Sequence, residues 1–369
     1  MPKIKNHYIL NRLPKQTGFP TLLALIFVLL CSSSFLVSYF GFTPNWEGEK
    51  RTLAEKPTFT WKNRDSFPRK YEAWFNDHFA LRTMLIRLNG IIQFGLLKTS
   101  TSPRVIRGVD NWLFYNSEES IDDFQKAVPF SPEKRNKIIT TLRTRALWAA
   151  AHGIPYAVIV APSKETIYPE KLPAWIKQYG TIRRLDQIVA LTAYDSTCGS
   201  VIDLRKDLDT ARKSKRIYYR YDSHWNGYGA AVAYQRLIEE LSDNYALPPL
   251  PDTSALSFKE LPGSAPSDIG GMIAMQWHLK HTDTLVNAKA RDKTSKKPIN
   301  RILFYHDSFG LAMTPLFVAI CDSVIPQHNR WGETFDTTEI LKTNPDLLIY
   351  EIAERCIFKL DCPAFAKRK

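Results

Sequence analysis

The chain has 369 residues, 44% of them hydrophobic and 24% charged, with no internal repeat or low-complexity tract, so it can bury a full core as one large or two modest domains. Its formal net charge is +13, and its five cysteines include no Cys-x-x-Cys, which leaves zinc-finger-like and thioredoxin-like sites unsupported. No glycine-rich loop of the nucleotide-cradling kind is present, and no cofactor is expected.

The leader, 1–20, carries Lys3, Lys5, Arg12 and Lys15 and no acid, and Thr21 to Phe42 then runs without a charge. A helix of that length crosses a hydrocarbon layer of ~30 Å. Basic residues before the span predict a cytoplasmic N-terminus and a translocated remainder: a single-pass inner-membrane protein with its domain in the periplasm. The exit "SYFGFTPNW" has no small-residue cleavage pattern, and Cys31 follows Leu30, which argues against a lipoprotein site. Subtracting the four leader cations from +13 leaves +9 beyond it, which suits an acidic polymer or surface as neighbour, a solvated basic face being the alternative. Nucleic acid is not expected outside the cytoplasm. There Cys198, Cys321, Cys356 and Cys362 meet oxidising conditions, and "CIFKLDC" predicts a Cys356–Cys362 loop staple, with buried thiols as the alternative.

Residues 43–103 read as a stalk and helical lead-in, with helical spacing over 71–97 broken at Asn76-Asp77-His78. The domain is expected over 104–369. It opens with a hairpin around Gly-Val-Asp-Asn (104–115), then a helix capped by Ser131-Pro132-Glu133 and stopped at Gly153. Strands are predicted at 156–161, 200–204, 216–221, 301–308 and 346–352, with helices at 181–194 and 229–242. A Pro/Ser/Gly-rich basic insertion fills 248–300. Apolar strands alternating with helices predict an α/β fold, a parallel sheet covered by helices on both faces.

In such sheets ligands gather at the carboxyl ends of the strands. "YDSHWNGY" (221–228) and "FYHDSFG" (304–310) both fall there. A serine needs an imidazole to remove its proton and a carboxylate to orient the imidazole, and Asp222-x-His224 offers both. Gly310 would let the chain turn into a helix whose free N–H groups can hold an oxyanion. Lys164 and Arg355 follow other strands and are placed on the same rim, as sugar-binding or oxyanion groups or as surface cations. Trp225 is a stacking platform or a packing residue. The alternative remains that Asp222 caps a turn, His224 is a loop histidine and Ser308 caps a helix. His306 is a second candidate base, lacking a carboxylate partner. Asp222-x-His224 as half a metal site lacks a third ligand, so no metal is expected.

Five stretches, "YEAWFNDHFALRTMLIRLN", "GVDNWLFY", "APSKETIYPEKLP", "YYRYDSHWNGYGA" and "HDSFG", resemble the alginate O-acetyltransferase AlgJ/AlgX-type family. That resemblance implies a permuted SGNH-hydrolase-like domain with Ser308 as nucleophile, His224 as base and Asp222 as the orienting acid. It implies acetyl transfer to hydroxyls of an acidic or neutral exported polysaccharide. His306-Asp307-Ser308 departs from the Gly-Asp-Ser common in SGNH enzymes. A one-span chain cannot reach cytoplasmic acetyl-CoA, so a multi-span membrane acyltransferase is the expected donor partner. A carbohydrate esterase with the same residues and a non-catalytic scaffold of a polysaccharide assembly complex are the competing functions.

Overall fold

In the computed structural model, residues 18–40, 52–245, 256–290, 297–329 and 334–365 are described. The chain divides into two compact units, 1–89 and 90–369. In the first, a helix covers Phe19–Tyr39 and others follow at Phe67–His78 and Arg82–Gly90, so the helical break falls after His78 rather than at Asn76. Among the described residues no helix is long and apolar enough to cross a membrane. The side chains at 19, 30, 31, 33–36 and 38 lie outside the described set, as do residues 41–42 and the leader up to residue 17, so the anchor expectation falls partly outside it.

The second unit opens on β1 (Val105–Arg107) and β2 (Leu113–Tyr115), the expected antiparallel hairpin. Its turn bends through Asp110 and Asn111 at positive φ, a conformation that Asp and Asn tolerate better than most residues. The helix Pro132–Ala151 is capped by Ser131 Oγ, which accepts from Lys134 N, and Gly153 (φ +68°) supplies the turn beyond it. β3 (Tyr156–Ala161) is buried along its whole length, and β4 (Ser200–Asp203) pairs parallel beside it. β5 (Leu256–Pro262) and β6 (Thr284–Ala290) form an antiparallel pair inside the 248–300 insertion, where no strand is expected although Val286, Ala288 and Ala290 alternate with Asn287 and Lys289.

β7 (Ile299–His306), β8 (Cys321–His328) and β9 (Leu347–Ala353) complete the main sheet. Among the described residues its order is β4-β3-β9-β7-β8, all neighbours parallel. β3 and β9, both wholly buried, form its centre, and β8 lies at the edge, where Pro326 removes no needed ladder bond. The parallel α/β expectation holds.

The segment 216–221 is not a strand of this sheet, and only a bridge between Tyr218 and Trp225 is formed there. Its backbone groups find scattered partners instead: Ile217 N donates to Tyr168 Oη, Arg220 N to Asp283 Oδ2 and Tyr219 N to the His224 carbonyl, and Arg220 O accepts from Leu113 N of β2. Likewise the residues after Ser308 form 3₁₀ turns, Gly310–Ala312 and Thr314–Ala319, rather than an α-helix.

Candidate active site

Ser308 leaves the carboxyl end of β7, and the loop 222–226 meets it from the other side. His224 Nε2 lies 2.7 Å from Ser308 Oγ, and its Nδ1 lies 2.7 Å from Asp222 Oδ1. His224 therefore bridges a hydroxyl and a carboxylate through its two ring nitrogens, the arrangement that lets an imidazole accept the hydroxyl proton while its other N–H stays oriented. The two stretches singled out in the sequence are one site.

Asp222 is fully engaged. Its Oδ1 also accepts from His224 N and its Oδ2 accepts from Asp268 N. Burial by itself raises the Asp222 pKa, but the nearby imidazole and these donors hold it well below the usual carboxylate range. Burial lowers that of His224, and the Asp222 carboxylate outweighs it, leaving the imidazole more basic than usual.

Asp268 escapes sequence reasoning, since it lies in the aperiodic insertion with only a helix start to mark it. Its Oδ1 accepts from Ser223 N and its Oδ2 from Ser223 Oγ at 2.6 Å, and Oδ2 stands 3.8 Å from His224 Nδ1. Burial and then the charge of Asp222 raise its pKa. Asp222, His224 and Asp268 bring one ligand atom each close enough to hold a cation. Each carboxylate oxygen already accepts a hydrogen bond, and both imidazole nitrogens have partners, which favours the relay over a metal centre.

Several expected roles change. Trp225 is 1% exposed; its Nε1 donates to the Phe309 carbonyl at 3.1 Å and its indole meets the Phe309 ring edge-on, so it ties the histidine loop to the serine turn and offers no sugar platform. Gly310 is an unsuitable oxyanion donor because its N–H goes to Glu351 Oε2 at 3.2 Å, as does that of Asp307 at 2.9 Å. A Cβ on Gly310 would stand 2.4 Å from that of His306, which explains the glycine by close approach. Glu351 is another residue missed, its carboxylate hidden in the apolar run of β9.

Lys164 is 2% exposed, with Nζ committed to backbone carbonyls, and does not face a substrate. His306 Nδ1 is bonded to the Asp307 carbonyl at 2.6 Å and its ring stacks on Phe304, so His224 is the histidine at Ser308. The side chain of Arg355 is 13% exposed, its guanidinium lies over the Tyr115 and Phe309 rings, and Glu118 Oε2 is 3.9 Å from Nε.

Cys356 and Cys362 are not cross-linked. The intervening chain is the 3₁₀ helix Glu354–Asp361. Six residues at ~2.0 Å rise separate the two positions by roughly 12 Å, beyond the ~7 Å a disulfide spans.

A serine, an imidazole and a carboxylate in line at the carboxyl edge of a parallel sheet are a site of the kind that SGNH-hydrolase-like α/β domains share with other serine-hydrolase folds. The family model described as "SGNH hydrolase-like domain, acetyltransferase AlgX" matches residues 105–303, just over half of the chain, and the protein belongs to this AlgJ/AlgX family. The matched residues include Asp222 and His224 and stop short of Ser308. The probable alginate O-acetylase AlgJ of Pseudomonas fluorescens is 25% identical over 229 residues, 61% of this chain and 52% of that protein, so the chain spans about half the length of this curated relative. The O-acetyltransferase domain of Pseudomonas putida AlgJ superposes with a TM-score of 0.50 at 17% identity, covering 70% of this chain and 93% of that one. Bacillus cereus PatB1 gives 0.51 at 12% identity, covering 69% and 96%. At such identities the structural likeness speaks for the fold alone.

Proposed function

We propose that this protein O-acetylates an exported polysaccharide through an acetyl-Ser308 intermediate. The observation that carries the reading is the pair of 2.7 Å contacts linking Ser308, His224 and Asp222. Ser308 Oγ attacks the acetyl carbonyl of a donor ester while His224 Nε2 takes its proton, and the same imidazole returns that proton to the leaving oxygen. A sugar hydroxyl, deprotonated by His224, then attacks the acetyl-serine, and Ser308 recovers its proton. Asp222 holds the tautomer and supports the imidazolium. Arg355, the cation beside the Phe309 ring, is the candidate to bind an acidic sugar or the oxyanion.

The donor in this reading is an acetyl group delivered by a multi-span membrane acyltransferase, and the basic leader with the uncharged 21–42 segment anchors the domain in the periplasm. The AlgJ relative supports alginate-like polymers as acceptors.

The test uses a chromogenic acetyl ester with and without an oligosaccharide acceptor, following free acetate and acetylated sugar. Ser308→Ala and His224→Ala each abolish turnover, and the double variant loses almost nothing more, because the two serve one step. His306→Ala, the control, retains activity. Acetate without acetylated sugar points to an esterase, and a fully active Ser308→Ala protein sinks both catalytic readings.

A further inference from the structure

Lys164 begins the short helix Lys164–Ile167, directly after the loop that leaves β3. It is 2% exposed, and its ammonium lies 5.7 Å from the Trp112 ring centroid and 5.4 Å from that of Phe114. An ammonium has three N–H donors, and three carbonyls converge on this one: Tyr219 O at 3.0 Å, Arg220 O at 3.2 Å and Asp222 O at 2.6 Å. No donor is left for a substrate. The same segment, 216–222, lacks a strand partner in the main sheet; Arg220 O also accepts from Leu113 N of β2 at 2.9 Å, and the ammonium ties that carbonyl to those of Tyr219 and Asp222.

We infer that Lys164 is a positioning residue for the reaction: its ammonium gathers the 219–222 carbonyls and thereby sets where the Asp222 carboxylate and His224 imidazole stand relative to Ser308. The inference rests on the reading of those three residues as the reacting site. An error of about 1 Å in such a site costs on the order of 10²-fold in rate, and the carbonyl of Asp222 is one bond from the Cα that carries the catalytic carboxylate.

The charged groups facing Lys164 are Asp222, Asp268, Glu165 and Asp283, and they offset only part of the burial that brings its pKa down to about 8. Above that pH the amine loses a donor and presents a lone pair to a carbonyl, so one of the three contacts fails and the loop loosens. Stability moves the other way. A lysine whose folded pKa lies below its unfolded value binds fewer protons when folded, so its ionisation raises stability as pH climbs from about 8 toward the free-lysine value near ~10.4. Alkaline loss of turnover without loss of Tm is therefore the signature of this device.

The test compares the full-length protein in detergent with Lys164→Met, an unbranched apolar replacement. Turnover of the chromogenic ester should fall about 10²-fold in kcat with KM little changed, and the alkaline limb present in the parent should be missing from the variant. A folded variant with undiminished kcat overturns the inference, as does a raised KM at full kcat, which would place the ammonium on the substrate. If the variant does not fold, the parent's own profile decides, and a kcat level through pH 10 overturns the inference. The downfield proton resonance of the His224–Asp222 pair reads the loop without any turnover: it should broaden or vanish in Lys164→Met, and an unchanged signal counts against positioning even if Ser308→Ala shows the reacting serine to lie elsewhere.

Discussion

Burial alone would strip the proton from His224, and it is the Asp222 carboxylate at 2.7 Å, with Asp268 behind it, that keeps the imidazole more basic than the ordinary ~6.5. A general base must be neutral, so kcat/KM should fall as pH drops through this raised pKa. Stability responds with its own sign: a histidine with a raised folded pKa stabilises fully below the unfolded value, and that contribution is lost as pH rises through the folded one. Asp222→Asn removes the charge that chiefly opposes burial at His224. It should move the acid limb to lower pH and cut the rate by roughly 10⁴-fold. Asp268→Asn should move the limb in the same direction with a smaller loss of rate, because Asp268 Oδ2 is 3.8 Å from Nδ1 and acts through Ser223 and Asp222. A pH–rate profile of each variant checks this, and an Asp268→Asn limb identical to that of the parent would show that the second carboxylate does not act on His224.

Beneath the serine turn, β9 presents Glu351, 1% exposed, to the N–H groups of Asp307 and Gly310. Burial first and the neighbouring Asp307 second raise its pKa well above the usual carboxylate value, which favours the neutral acid. Folding then takes up a proton, and this acid's contribution to stability falls as pH rises from the unfolded glutamate value, about 4.3, toward the raised one. Glu351→Gln keeps an acceptor for both N–H groups and removes the titration. Its Tm relative to the parent should improve from pH 5 to pH 8. Glu351→Leu strands two buried donors at about 1–3 kcal/mol each and should unfold at much lower temperature. If both variants melt alike, the neutral-acceptor role is wrong. These elements also show what a sequence can and cannot announce. β3 is a continuous apolar run, β7 and β9 hold the apolar stretches 302–305 and 347–350, and the 131–153 helix carries its cap and its stop, so local physics suffices. Asp222, His224 and Ser308 are legible because the chemistry demands those three types, although only Ser308 follows a strand of the sheet. Asp268 and Glu351 act through partners 46 and 41 residues away, a distance no local pattern encodes. The 216–221 run, β-like in composition, misleads because its backbone groups pair with loop backbone, with Leu113 of β2 and with the side chains of Tyr168, Asp283 and Lys164 rather than with a strand of the main sheet.

At the scale of the whole molecule, charge and hydropathy bear on place. Four cations precede the uncharged 21–42 segment, and the remaining +9 lies beyond it. The positive-inside tendency carries the proposal that the leader stays in the cytoplasm and the domain faces the periplasm. The proposed chemistry requires that placement. On the proposed reading, acetyl reaches the domain from a membrane-spanning donor and the acceptor polymer is met outside. A basic exterior draws an acidic polymer by a long-range attraction that salt screens, with a Debye length of ~8 Å at physiological ionic strength. Membranes from cells expressing the full chain should therefore retain it through a carbonate wash, and protease added to spheroplasts with an opened outer membrane should digest the domain while a cytoplasmic marker survives. N-terminal sequencing of the intact band should begin at the leader. Recovery of a soluble domain starting near residue 40 would show that 21–42 is a cleaved signal, and a protected domain would place the site on the cytoplasmic side, where acetyl needs no carrier across the membrane.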